Sequence, residues 1–146
     1  ETGIMAVKIR LQQSKFKEEN RGGKWHARTV SNGVSTIDDL ADAIQESTSF
    51  TRGDVRGIVM ALIDEIGFQL ANGKTVALDG LGRFHLTVES IPSTTPEDFS
   101  LRKNVKGIKC KFVPSGRRDP DTNRKVEDFG FGVQVVWADK NNRELK

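Results

Sequence analysis

The stretch that decides the fold is residues 51–86, TRGDVRGIVMALIDEIGFQLANGKTVALDGLGRFHL. Its first part carries apolar side chains at steps of three and four residues, which places them on one stripe of an α-helix. Thr51 can cap the start of this helix, with Asp54 three residues further on, and Asn72-Gly73 supplies a left-handed stop. We therefore expect a helix of about twenty residues whose stripe must pack against a partner. The stripe comprises Val55, Ile58, Val59, Leu62, Ile63, Ile66 and Leu70.

After the stop, the hydrophobic period changes from 3.6 to 2. Val76 and Leu78 alternate with polar residues, Asp79-Gly80 can turn the chain, and alternation resumes from Phe84 to Val88. The pattern predicts a β-hairpin directly after the long helix.

A shorter helix is predicted before the long one. Ser35 or Thr36 can cap it, and it should end near Ser47. Its apolar face comprises Ile37, Leu40, Ala41 and Ile44. Two helices joined by a short corner also fit a helix-turn-helix, in which the second helix enters a DNA groove.

The charges of the long helix disfavour that alternative. Its basic residues are Arg52 and Arg56, whereas Asp54, Asp64 and Glu65 would repel phosphate. We therefore expect the long helix to pack in a core, and burial against a second copy of the chain is the simplest way to cover a stripe of this length.

A basic segment follows the hairpin. Ile108, Cys110 and Phe112 alternate with lysines, so a strand here would place Lys109 and Lys111 on one face and the apolar side chains, including Cys110 as a small buried hydrophobe, on the other. Such a strand can pack on a core while lining a groove for phosphate. The basic residues from 102 to 111 are Arg102, Lys103, Lys106, Lys109 and Lys111, with no acid among them.

The order of these pieces resembles a known family. Residues 76–86, VALDGLGRFHL, resemble the V-x-L-x-G-F-G-x-F-x-V signature of the HU/IHF family of bacterial histone-like proteins, and Phe112 to Arg117 resembles the segment that follows that family's arm. The resemblance covers residues 35–116. It implies an α+β fold with a two-helix base, an antiparallel sheet and a β-ribbon arm at about 89–111, intertwined as a dimer that clasps DNA.

The chain departs from the family pattern in three places. The arm tip lacks the Asn-Pro wedge, and Pro96 is followed by Glu97 and Asp98, so sharp kinking of DNA is not expected. The family's third helix should begin near Arg117, but Asp119-Pro120-Asp121 predicts a turn and residues 130–137 predict a strand. Extra strands are predicted at 5–11 and 25–30, where apolar and polar residues alternate.

Composition excludes several function classes. The chain has 146 residues, a net charge of +3, one cysteine and two histidines. An intramolecular disulfide is impossible, and a zinc site, a cofactor or a catalytic constellation is not expected. No apolar run reaches the length of a membrane span and no signal peptide is evident, so we expect a cytoplasmic, nucleoid-associated protein with no membrane or small-molecule partner.

These patterns yield four segments. Residues 1–4 are expected to be an expression remnant or tail, 5–34 an N-terminal β extension, 35–116 the HU-like core, and 117–146 a C-terminal extension with one strand and a polar tail. The dimer core is predicted to comprise Leu40, Ile44, Val55, Ile58, Val59, Leu62, Ile63, Ile66, Leu70 and Phe84. The predicted DNA contacts are Arg83, Arg102, Lys103, Lys106, Lys109, Lys111, Arg117 and Arg118.

Three functions remain open. The first is histone-like binding of double-stranded DNA through phosphates, with little sequence specificity. The second is a dimeric interaction module that keeps the fold but has lost DNA binding. Binding of single strands or RNA is disfavoured because Trp25, Phe99 and Trp137 are too scattered to form a stacking platform. Lysines and arginines between the N-terminal strands are offset by Glu18 and Glu19, so their role stays undecided.

Overall fold

A computed structural model of the chain describes residues 5–15 and 22–139. The remnant proposed for residues 1–4 lies outside the described residues, as does the polar tail from residue 140 onward. The elements in chain order are β1 (Ala6–Gln13), β2 (Trp25–Val30), α1 (Ile37–Ser47), α2 (Arg52–Ala71), β3 (Val76–Leu78), β4 (Gly82–Ser90), α3 (Leu101–Asn104), β5 (Val105–Pro114), β6 (Gly116–Arg118), β7 (Lys125–Glu127), a 3-10 turn (Asp128–Gly130) and β8 (Gln134–Trp137).

The chain divides into two compact units. One combines the residues up to Thr36 with those from Gly132 onward, and the other spans Ile37–Phe131. Within 5–15 and 22–139, no helix is both long and apolar enough to cross a bilayer.

The long helix begins where the sequence predicts. Thr51 accepts a hydrogen bond from the backbone N–H of Asp54, and the Asp54 carboxylate accepts one from the backbone N–H of Thr51, so a complete capping box is present. The hydrogen bond from the Thr51 side chain also holds the pKa of Asp54 below its ordinary value. Gly73, with a φ of 78°, follows the helix and confirms the predicted left-handed stop.

Ion pairs join the two helices of the base. Asp38 of α1 pairs with Arg52 and Arg56 of α2, and Asp42 pairs with Arg52. The hydrogen bond from Arg56 is the main reason that the pKa of Asp38 is lowered. Because both basic residues of α2 are engaged by carboxylates of α1, the geometry supports packing over major-groove recognition by this helix.

Most of the apolar surface of the helix pair is uncovered in one chain. Among the described residues, the buried apolar side chains are Ala41, Val55 and Leu70, whereas Ile58 is 60 % and Ile63 50 % exposed. The apolar surface of α2 is also wider than the single predicted stripe, because the exposed Met60 and Phe68 lie on other sides of the helix at 100° per residue.

Strands β3, β4 and β5 form an antiparallel sheet in that order. β4 pairs with β5 from Gly82, opposite Pro114, to Ser90, opposite Val105, with one register shift at Glu89/Ser90. The predicted hairpin and the alternation of the basic strand are confirmed. Gly82 packs tightly in this sheet: it has a φ of 148°, and a Cβ there would lie 2.4 Å from the Val113 carbonyl oxygen and 2.8 Å from the Phe112 ring.

Gly82→Ala should therefore destabilise the sheet. We expect a loss of about 2–4 kcal/mol in the free energy of unfolding, from backbone strain and from overlap with atoms that cannot move apart easily. Gly107→Ala in β5 is the matched control, since a Cβ there meets nothing within 4 Å. Urea denaturation of both variants measures the difference, and equal stability of the two variants would show that the close approach at Gly82 is not structurally important.

The other unit contains a sheet of order β2-β1-β8. β1 is antiparallel to β2, as the two predicted N-terminal strands suggest, and parallel to β8. The strand predicted at 130–137 is shorter than expected and occupies only Gln134–Trp137, because the 3-10 turn and Gly132, with a φ of 75°, interrupt it.

A small hairpin of β6 and β7 was not predicted. The turn predicted at Asp119-Pro120-Asp121 is confirmed within it, where the Asp119 carboxylate accepts hydrogen bonds from the backbone N–H groups of Asp121 and Thr122. These two hydrogen bonds lower the pKa of Asp119, and the one from the Asp121 N–H has the larger effect. Among the described residues no α-helix follows Arg117. The family's third helix is therefore missing there, as the sequence predicts.

Candidate nucleic-acid interface

The register of β4 and β5 gathers basic side chains on one side of the sheet. Residues directly opposite each other share a face, and His85 lies opposite Lys111 while Thr87 lies opposite Lys109. Arg83, two residues before His85, is on the same side. We refer to Arg83, His85, Lys109 and Lys111 as the β4–β5 basic face.

Lys109 is held loosely on this face. Its Nζ lies 3.1 Å from Oε2 of Glu89, and both side chains are more than half exposed. An ion pair in such an exposed position contributes little to stability. Lys109 can therefore exchange this carboxylate for a phosphate at small cost.

The other side of the same sheet is apolar and mostly open. The rings of Phe84 and Phe112 stack with centroids 4.7 Å apart, but Val88 is 61 % and Ile108 68 % exposed. Cys110, expected to be buried, is exposed. The prediction of burial was wrong because the described residues leave most of this side of the strands exposed.

Residues 91–104 close the hairpin as a folded tip. Asn104 is buried, donates its side-chain amide to the Ile91 carbonyl at 3.0 Å and accepts from the Ser100 N–H at 3.0 Å. Its backbone also bonds with Ile91 and Ser100. The tip is thus tied to the ends of both strands by one side chain, a role that the sequence did not reveal.

The remaining predicted contacts are distributed along the hairpin and beyond it. Arg102 and Lys103 lie exposed on α3 in the tip. Lys106 is the extra residue at the register shift, because Val105 and Gly107 pair with consecutive residues of β4. These three side chains are close in sequence to the basic face but are not aligned on it.

Arg117 and Arg118, on β6, have partners within the chain. The Arg117 guanidinium lies 5.1 Å from the centre of the Phe131 ring, and Nη1 of Arg118 donates to Oδ1 of Asn123 at 3.2 Å. They lie on β6, a strand that pairs with β7 and is not part of the sheet that carries the β4–β5 basic face.

Two basic residues of this region are not among the predicted DNA contacts. His85 is the first of them, and its spacing of two residues from Arg83 is the signal that both side chains share a face. Lys125 of β7 donates to the Pro114 carbonyl at 2.6 Å and helps to line a cleft of about 360 Å³ together with Arg83 and the turn at Asp79-Gly80. The cleft is open at the base of the basic face.

A helix pair that leads into an antiparallel hairpin sheet, with one basic and one apolar side, defines the architecture of HU-like domains. The family model described as an HU domain fused to wHTH, Ig, or Glycine-rich motif matches residues 5–124. The chain belongs to this family, which confirms the HU-like resemblance of the sequence.

A solved structure has a similar fold. The crystal structure of a presumed bacterial DNA-binding protein from Bacteroides vulgatus ATCC 8482 superposes with a TM-score of 0.53 at 12 % sequence identity. The match covers 74 % of this chain and 41 % of the other, so this chain spans about two fifths of that protein. No curated protein matches the chain.

Proposed function

We propose that the chain binds double-stranded DNA through the phosphate backbone, using the β4–β5 basic face, with little reading of base sequence. The observation that supports this most directly is the strand register, which aligns Arg83, His85 and Lys111 on one side. The apolar side chains of Phe84, Leu86, Ile108 and Phe112 lie on the other. The HU-like family and the DNA-binding description of the Bacteroides protein support the same partner.

The spacing of the face suits a regular polyanion. Lys109 and Lys111 are two residues apart on one strand, roughly 7 Å. Duplex DNA carries one phosphate per about 1.7 Å of its axis, counting both strands, so phosphates are available at this spacing. Each lysine or arginine that neutralises a phosphate releases condensed counterions, which supplies the free energy of binding.

We propose further that the working unit is a homodimer. In the described chain, Leu40, Ile58 and Ile63 each leave half or more of their surface in water. Covering one such side chain fully stabilises an assembly by about 1.5–3 kcal/mol. A second copy offers the same apolar surface, and two copies would present two basic faces to one duplex.

We do not propose that the protein kinks DNA sharply. Pro96 could be a wedge only if it were presented to the bases, but Glu97 and Asp98 follow it and Asp98 accepts a hydrogen bond from Thr95. The tip is also tied down by Asn104. We propose no catalytic step, and we place the protein with the bacterial nucleoid.

A second candidate is a dimeric interaction module without DNA binding. The observation that favours it is the carboxylates near the basic face: Glu89 already neutralises Lys109, and Glu97 and Asp98 lie on the exposed tip. In that case the basic face would be a solvated surface.

The salt dependence of duplex binding separates the two candidates. If about five phosphates per protomer are contacted, the log affinity of a dimer for a random-sequence duplex should fall with log salt with a slope near 9, at roughly 0.9 per contact. Fluorescence anisotropy of a labelled duplex, titrated between about 0.05 and 0.2 M salt, measures it. A slope below about 2 would contradict backbone binding and favour the interaction module.

A further inference from the structure

The sheet of β2, β1 and β8 has two chemically opposite faces. The register places Lys8 opposite Val30, Arg10 opposite Arg28, and Gln12 opposite His26. Residues directly opposite share a face, so the basic side chains of both strands lie together. We refer to Lys8, Arg10, His26 and Arg28 as the β1–β2 basic face.

The reverse side of this sheet is apolar and aromatic. Val7 lies opposite Val135 and Ile9 opposite Trp137, while Trp25 and Ala27 lie opposite Gln13 and Leu11. The basic side chains lie on one side, where Val30 and Val136 flank Lys8, and both tryptophans of the chain lie on the other.

No ion pair between residues 5–15 and 22–139 neutralises a side chain of the β1–β2 basic face. Like charges directly opposite in an antiparallel pair are destabilising, yet Arg10 and Arg28 face each other. The ion pairs of the described residues involve Arg52, Arg56 and Lys109, not this sheet. Nε of Arg10 is buried and has no hydrogen-bond partner among the described residues.

We propose that the β1–β2 basic face is a second contact surface for the phosphate backbone of double-stranded DNA, separate from the β4–β5 basic face. Lys8 and Arg10 are roughly 7 Å apart along one strand, and Arg28 lies on the neighbouring strand about 5 Å away. A row of cations at this spacing fits several phosphates of a polyanion. Arginine also binds phosphate with two parallel hydrogen bonds.

The segregation of the two faces argues against other polyanions. A membrane-surface element needs apolar and basic side chains that reach the bilayer together, but here insertion of the tryptophans would turn the cations away from the headgroups. A single-stranded nucleic acid needs aromatic stacking beside the cations, and Trp25 and Trp137 are on the reverse side. Binding to the phosphate backbone of a duplex requires only the basic side chains.

The test compares two pairs of substitutions in the full chain. Lys8→Gln with Arg28→Gln removes two exposed charges from the face, and Lys15→Gln with Lys24→Gln removes two exposed charges from the connection between the same strands. The first pair should weaken binding to a random-sequence duplex by at least about tenfold at 0.1 M salt and lower the salt slope by about 1.8 per engaged protomer. The control pair should change affinity by less than about twofold.

The readouts distinguish this inference from the proposed function. Tryptophan fluorescence, which reports on Trp25 and Trp137 in this sheet, verifies that each variant keeps its fold. If the first pair binds duplex like its control, the inference is overturned, whatever substitutions in the β4–β5 basic face do. If the first pair weakens binding while those substitutions have no effect, the proposed function fails and this inference stands. Loss of binding to vesicles of anionic lipid, with duplex binding unchanged, would also overturn it.

Discussion

Replacing both Lys109 and Lys111 by glutamate should abolish duplex binding at about 0.1 M salt. These lysines are adjacent on one side of β5, and the change would convert that side from positive to negative. Four phosphate contacts would be lost per dimer, which alone lowers the salt slope by about 3.6, and repulsion adds to that loss. We expect affinity to fall by at least about a hundredfold.

Two further variants make this result interpretable. Lys109→Glu would stand beside Glu89, so the pair Lys109→Gln and Lys111→Gln separates lost contacts from new repulsion within the sheet. Lys15→Glu with Lys24→Glu makes the same change of net charge elsewhere. Unchanged binding of the Lys109 and Lys111 variants, measured by anisotropy, would rule out the β4–β5 basic face and leave the interaction module as the better account of this unit.

Ile63→Glu should break the proposed dimer. Ile63 lies in the middle of α2 and is 50 % exposed, so half of its surface remains to be covered by the second copy in the proposed dimer. Burying an unpaired carboxylate at such an interface is expected to cost several kcal/mol, roughly 3–5. Glutamate is a good helix former, so the helix itself should not be weakened.

Mass in solution and concentration-dependent unfolding measure this effect. The unchanged protein should sediment at twice the mass of one chain and become more stable as its concentration rises. Ile63→Glu should be a monomer or unfold, whereas Ile63→Leu, which keeps the apolar surface, should remain dimeric. If the unchanged protein proves to be a stable monomer, the exposed apolar surface of the helix pair requires a different explanation.

The local parts of the fold were predictable because their signals are local. The cap at Thr51 and the stop at Gly73 set the ends of α2 through hydrogen bonds and backbone angles of neighbouring residues. The faces of β5 follow from alternation alone, so the placement of Lys109 and Lys111 together needed no knowledge of the rest of the chain.

The pairing of strands that are far apart in the sequence was not predictable. β8 could be identified as a strand, but nothing in its four residues specifies that it pairs with β1, more than a hundred residues earlier. Cys110 was placed on the correct face, yet its burial depends on what covers that face, and the described residues leave it exposed. The burial of a side chain depends on what packs against its strand, whereas the alternation of apolar and polar side chains depends only on the sequence of the strand itself.

The basic residues also fall into those whose placement was predictable from local sequence and those whose placement was not. Arg83, Lys109 and Lys111 were predicted together and lie together. Arg117 and Arg118 were grouped with them by charge, but the structure engages them with Phe131 and Asn123. The β1–β2 basic face escaped notice because its members come from two strands, and only the register shows that Arg10 and Arg28 are neighbours.

The parallel pairing of β1 with β8 has a mechanical consequence. The chain enters this pair at Ala6 and leaves it at Trp137, at opposite ends of two strands that run side by side in the same direction. A pulling force applied through these two points would load the pair in shear, so that its evenly spaced hydrogen bonds share the tension instead of opening one after another. Strands β1 and β8 would thus act as a clamp that resists stretching of the polypeptide between them.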